Sequence, residues 1–142
     1  MLHIDGMKIG LISDTHILDD DRLEIPVWVR DAFAGVDLIV HAGDVGLAGF
    51  LGELSAIAPV YAVMGNCDRR LGDTPSSRSI EIGCGLLTVA HQAGDARRAL
   101  NHRSRVMVYG HTHIALINQE ENLLVINPGS PTLPRGGLPA SV

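Results

Sequence analysis

Seven histidines stand in a chain of 142 residues that holds only five phenylalanines, tyrosines and tryptophans together. Five of them fall in short polar clusters, most with acids or an amide close by. The clusters are Asp14-Thr15-His16, His41-Ala42-Gly43-Asp44, Asn66-Cys67-Asp68, His91, and His111-Thr112-His113. Carboxylates mixed with imidazoles suit borderline divalent metals. The set is too rich in nitrogen for calcium and lacks the cysteines of a structural zinc site. His111 and His113 alternate, so in extended chain they share a face.

Each cluster also has a structural reading. Asp14 could cap the following segment, and His16 could be a solvated loop residue. Asp44 after Gly43 and Asn66 after Gly65 both fit turns. His91 could be satisfied within a strand end. The functional reading rests on their shared position, because each cluster follows an apolar run.

Those runs read as strands: Lys8 to Ile12, Val36 to Val40, Val60 to Met64, Ser79 to Ile82, Leu86 to Ala90, Arg105 to Tyr109, Ile114 to Asn118 and Asn122 to Ile126. Helix is expected over Glu24 to Ala34, with Pro26 tolerable in a first turn and Gly35 as a stop. Two more are expected, over Leu47 to Ala58, closed by Pro59, and over Asp95 to Asn101. The first half therefore reads β-α-β-α-β with near-continuous apolar strands, which indicates a parallel sheet covered on both faces. Ligands of open α/β sheets bind outside the carboxyl ends of the strands. Five loops would meet at that rim. Gly83-Cys84-Gly85 suggests a hairpin, and four prolines and three glycines make Pro128 to Pro139 irregular.

The length suits a single domain, 1–142, with a substantial core. Net charge is −5, and the positive charge is ten scattered arginines and one lysine, which argues against sliding along nucleic acid. No apolar run approaches the length of a membrane span, and the opening residues do not read as a signal peptide. Two cysteines, Cys67 and Cys84, make no disulfide framework, so a cytoplasmic location is expected.

Asp14-x-His16, Gly43-Asp44, Gly65-Asn66-x-Asp68, His91 and Gly110-His111-x-His113, in that order, resemble the calcineurin-like metallophosphoesterase superfamily. The branch they resemble is that of the small YfcE-like phosphodiesterases, which is also related to the Vps29 fold. The opening MKIGLISDTH and the late Asn127-Pro128-Gly129-Ser130 fit that branch. The resemblance implies a four-layer α/β/β/α sandwich of two mixed sheets flanked by helices. It also implies two divalent metals, manganese foremost, with nickel, zinc, iron or magnesium as alternatives. One would be held by Asp14, His16, Asp44 and His113. The second would be held by Asp44, Asn66, His91 and His111, with Asp44 bridging. The implied reaction is hydrolysis of a phosphodiester by direct attack of metal-bound hydroxide, with Asp44, Asn66, Asp68 and His91 as catalytic residues. Asp68, and less strongly His41, are expected to partner the ligand imidazoles.

The chain also departs from the pattern. Cys67 stands where many members carry histidine, and a packed thiol is expected there. Gln92 replaces the glycine after His91, and the segment from His91 to His111 is short. Residues 1–6 precede the usual start, and relatives continue beyond Val142 into another strand. The alternatives are a phosphomonoesterase or nucleotide hydrolase with the same site, or a metal-free interaction scaffold of the Vps29 kind. A small-molecule phosphodiester substrate, no membrane and a homo-oligomer are the partner expectations. Trp28 and Phe50 are read as helix core.

Overall fold

The computed structural model describes all 142 residues. The elements, in chain order, are β1 (Leu2–Ile4), β2 (Met7–Ile12), α1 (Val27–Ala32), β3 (Leu38–His41), α2 (Ala48–Ser55) and β4 (Val60–Ala62). They continue with β5 (Ser77–Glu81), β6 (Leu86–Ala90), α3 (Ala93–Ala99), β7 (Ser104–Val108), β8 (Leu116–Glu120) and β9 (Leu123–Asn127). One sheet has the order β1-β2-β3-β4 and the other β5-β6-β7-β9-β8. In the first, β2, β3 and β4 run parallel and β1 is antiparallel. In the second, β6, β7 and β9 run parallel, with antiparallel strands at both edges.

Side-chain alternation explains the layers. Ile9, Leu11, Leu38 and Val40 face inward against Leu87, Val89, Val106, Val108 and Ile126 of the other sheet. The intervening residues face helices: Ile12 and Ile39 pack with Val29 and Phe33 of the α1 region and with Phe50 and Leu54 of α2. Met107 and Val125 meet Ala96 of α3 on the opposite surface. The expected near-continuous apolar strands are thus buried on both faces. In the first sheet only one cover is helical; the other is the second sheet. Gly10 makes room on the helical face, where a Cβ would lie 3.0 Å from the Phe33 ring.

Three expectations change. Residues 2–4, read only as a lead-in, form β1. The Asp5-Gly6 turn behind it has φ of 48° and 78°, the pair of left-handed residues that a two-residue hairpin favours. Phe50 is core as expected, but Trp28 is 42% exposed. In the short α1 the sheet-facing residues are Val29 and, one turn later, Phe33, so Val27 and Trp28 point away. The strand expected over Ile114 to Asn118 lies two residues later, because His113 and its neighbours are drawn into the rim. No helix is long and apolar enough to cross a membrane.

Candidate metal centre

All five polar clusters lie at the carboxyl ends of parallel strands. Asp14 and His16 follow β2, Asp44 follows β3, Asn66 follows β4, His91 follows β6, and His111 and His113 follow β7. The first two loops stay paired beyond their strands: the Asp14 amide donates to the Gly43 carbonyl and the His16 amide to the Asp44 carbonyl, both at 3.0 Å. The two sheets are tied at the rim by His91, whose Nδ1 donates to the Ala42 carbonyl at 2.8 Å. A second tie is the His111 amide, which donates to the Asp14 carboxylate at 3.0 Å.

The backbone at the candidate ligands is unusual. Asp14, His16, Asp44, His111 and His113 all have positive φ, between 45° and 69°. Non-glycine residues in this region cost of order 1–3 kcal/mol each and persist only where the surroundings over-determine them. Chain turned this way brings side chains from successive loops into one small volume. The motif glycines permit the approach. A Cβ on Gly65 would lie 2.0 Å from Asp44 Oδ1, and one on Gly110 would lie 2.7 Å from Asp14 Oδ2.

The result is a convergence of acceptors. His91 must carry its proton on Nδ1 to satisfy the Ala42 carbonyl, and His113 must do the same for the Leu133 carbonyl at 2.7 Å. The neutral rings therefore present Nε2 lone pairs to the centre. His91 Nε2 lies 3.3 Å from Asp44 Oδ2 and 2.8 Å from Asn66 Oδ1. His113 Nε2 lies 3.4 Å from Asp14 Oδ1 and 3.3 Å from His16 Nε2, which is itself 3.5 Å from Asp44 Oδ2. His111 joins through Nδ1, 3.1 Å from the Asn66 oxygen. Lone pairs aimed at one another repel unless positive charge sits among them. Asp14, His16 and His113 form one group, and Asp14, Asp44 and His91 another, each with ligand atoms within 4.8 Å. This donor set fits divalent cations.

The titrations respond to the same crowding. Burial pushes the Asp14 carboxyl above its ordinary value. Burial acts against Asp44 too, but a His91 ring carrying a second proton on Nε2 and the Cys67 amide both donate to it and hold it well below the usual carboxylate range. His91 is raised: desolvation opposes its charge, and the bonds to Asp44 and to the Ala42 carbonyl outweigh it.

Two expected roles change. Asp68 touches no imidazole; its carboxylate accepts from the Gly46 amide at 3.0 Å and the Gly65 amide at 2.8 Å. It staples the loop after Asp44 to the loop before Asn66. Its side chain has both oxygens committed to backbone, so it acts by positioning. His41 also meets no ligand ring. It is fully buried, accepts from the Gly43 amide through Nδ1 at 3.2 Å, and donates from Nε2 to the Thr15 hydroxyl at 3.0 Å. That hydroxyl in turn donates to the Val45 carbonyl at 2.9 Å. Cys67 is exposed at the mouth of the site instead of packed, because its amide is turned onto Asp44 Oδ1 at 2.8 Å.

Sequence reasoning missed the clamp from the last loop. Thr132 donates to the Thr15 carbonyl at 2.8 Å, Ser13 to the Gly129 carbonyl at 2.7 Å, and Leu133 orients His113. The only signal was Asn127-Pro128-Gly129-Ser130, which entered as a mark of resemblance without a role.

A carboxylate–imidazole centre at the strand ends of a four-layer sandwich defines a class, that of the metallophosphoesterases. The chain belongs to the calcineurin-like phosphoesterase superfamily, whose domain model matches residues 7–142. It is 44% identical over 138 residues to the protein named "Probable metallophosphoesterase" of Methanothermobacter thermautotrophicus, covering 91% of this chain and 80% of that one. Phosphodiesterase YfcE of Escherichia coli is 34% identical over 160 residues, covering 95% of this chain and 85% of its own length. The YfcE structure superposes with a TM-score of 0.74 over 94% of this chain and 85% of that one, at 28% identity. Zinc-bound Vps29 of Entamoeba histolytica shares the fold at 21% identity, with a TM-score of 0.73 over 94% of this chain and 79% of that one.

Proposed function

We propose that this protein is a phosphodiesterase dependent on two divalent metal ions, manganese foremost, acting in the cytoplasm on a small phosphodiester. The observation that carries the reading is the meeting of two carboxylates, the Asn66 amide oxygen and imidazole lone pairs in one site. Asp14, His16, Asp44 and His113 would hold one ion, and Asp44, Asn66, His91 and His111 the other. When bound, such a pair supplies Lewis acidity and lowers the pKa of water.

The chain's own part is positioning. The Ala42 and Leu133 carbonyls fix the tautomers of His91 and His113, so both keep Nε2 free for a ligand bond. The Cys67 amide occupies Asp44 Oδ1 and leaves Oδ2 towards His16 and His91. His111 and Asn66, both exposed, stand where a phosphoryl oxygen can reach them. With a thiol at Cys67, the only imidazoles beside Asn66 are His91 and His111, both assigned to metal, so none is free to protonate a departing alkoxide and esters with good leaving groups are favoured.

The test is reconstitution. Metal-free protein is given manganese, nickel, zinc or iron and assayed with an aryl phosphodiester and an aryl phosphomonoester. Diester turnover with at least one metal is expected. Turnover of the monoester alone would replace the reading with a phosphomonoesterase. No turnover and no metal by elemental analysis would leave a scaffold of the Vps29 kind.

A further inference from the structure

The metal-ligand rim has one apolar wall. A pocket of about 370 Å³ opens beside His16, lined by Ile17, Leu18, Asp19, Arg22 and Leu133 among others. Leu18 is 74% exposed and Leu133 52% exposed. Single exposed leucines are ordinary, but these two come from distant loops and face one cavity that also touches a candidate metal ligand. Both loops are pinned by the site itself. The Ile17 amide donates to the Val45 carbonyl at 3.0 Å, next to Leu18. Leu133 donates its amide to the Ser130 hydroxyl at 2.9 Å and accepts from His113 at 2.7 Å. The backbone carrying the two leucines is therefore tied close to His16 and His113.

The charges of the pocket are one acid and one base, Asp19 and Arg22, so its lining has no net charge apart from His16. Beyond it, Asp19, Asp20 and Asp21 line an open depression that would repel an additional anion. A guanidinium at one wall offers a flat cationic face on which an aromatic ring stacks well.

Resting on the phosphodiesterase reading, we propose that this slot between Leu18 and Leu133 receives an uncharged aromatic substituent of the substrate, the ester group retained on phosphorus after hydrolysis. The enzyme would then act on diesters that carry a ring of aryl or nucleobase size on one side of the phosphate.

Two diesters test this, methyl 4-nitrophenyl phosphate and phenyl 4-nitrophenyl phosphate, both losing 4-nitrophenol as water adds to phosphorus. With manganese-loaded protein, kcat/KM for the phenyl ester is expected to exceed that for the methyl ester at least about tenfold, mostly through KM. The double variant Leu18→Ser, Leu133→Ser should bring that ratio close to one while melting within a few degrees of the parent. Ile117→Ser, at an exposed residue of β8, should keep the parent ratio. A parent ratio near one, or a preference that survives the double variant, overturns the proposal. If neither diester is hydrolysed, the phosphodiesterase reading fails by itself. The slot is then judged by binding: phenylphosphonate should raise the melting temperature more than methylphosphonate, and equal shifts overturn it.

Discussion

The Ser130 hydroxyl donates to the Asp14 carbonyl at 2.7 Å, joining residues 116 positions apart. It is the centre of a small knot, since the Thr132 and Leu133 amides donate to the same oxygen at 3.3 and 2.9 Å. Asp14 sits at φ 54° with its side chain fully buried, and the knot is part of what holds it there. Ser130→Ala removes one donor and one acceptor from a buried site. A loss of about 1–3 kcal/mol in denaturant unfolding is expected. Manganese affinity of the metal-free protein should fall about tenfold, because such supporting contacts orient ligands. Unchanged affinity in a titration followed by electron paramagnetic resonance would show that the knot serves stability alone.

His41 gives the fold an acid limit. Burial lowers its pKa from 6.5 to about 3, and its two nitrogens are already engaged as acceptor and donor. The unfolded chain therefore binds a proton there below about pH 6.5 that the native chain refuses until about pH 3. Stability from this residue is complete above the upper value and is lost as pH falls towards the lower one, at up to about 1.4 kcal/mol per pH unit. His91, whose pKa is raised, works in the opposite sense, so the comparison must isolate one group. His41→Gln keeps an amide donor and acceptor but does not titrate. Its unfolding free energy should fall less steeply than that of the parent between about pH 6.5 and 4. Parallel curves would show that His41 titrates normally in the native state.

The sequence made the ends of the strands legible because apolar runs stop abruptly at polar residues there, and two-sided burial leaves little room for ambiguity in such runs. Asp14, His16, Asp44, Asn66, His91, His111 and His113 could be singled out for that reason, and the structure brings all seven together. What held them was harder to see. The left-handed backbone at Asp14 is held in part by a contact from a loop far along the chain. Asp68 is expected as an imidazole partner only through the resemblance. Its actual bonds to the Gly46 and Gly65 amides depend on a loop-to-loop register that no spacing encodes. The packing of one sheet on the other was likewise invisible to periodicity, since a strand covered by a helix and a strand covered by a sheet carry the same apolar run.

Gly65 tests how tightly the centre is built. A side chain there would place Cβ 2.0 Å from Asp44 Oδ1 and 2.2 Å from the Asp44 amide nitrogen, neither of which is the free end of a flexible group. Gly65→Ala must push the Asp44 loop away from Asn66. Diester turnover is expected to fall at least about a hundredfold, as misplacement by about an ångström can cost that much. Gly52→Ala, whose Cβ meets nothing within 4 Å on α2, provides the comparison and should be neutral or slightly stabilising. Equal activities of the two variants would mean that the Asp44 loop can yield without consequence.

Asp44 is the residue on which most of the site converges. Its Oδ1 accepts from the Cys67 amide at 2.8 Å, and its Oδ2 lies 3.5 Å from His16 and 3.3 Å from His91. In the proposed arrangement it alone serves both cations, so its negative charge offsets their mutual repulsion. Asp44→Asn keeps the shape and retains an oxygen for the Cys67 amide, but removes that charge. The variant is expected to fold, to bind fewer manganese ions per chain by elemental analysis, and to hydrolyse the aryl diester at least about a thousandfold more slowly. His111→Ala, at an exposed edge of the site, should lose less metal than Asp44→Asn. Asp44→Asn with parental metal content and rate would mean that Asp44 does not bridge, and that Asp14, which faces His91 at 4.0 Å and His113 at 3.4 Å, takes that role.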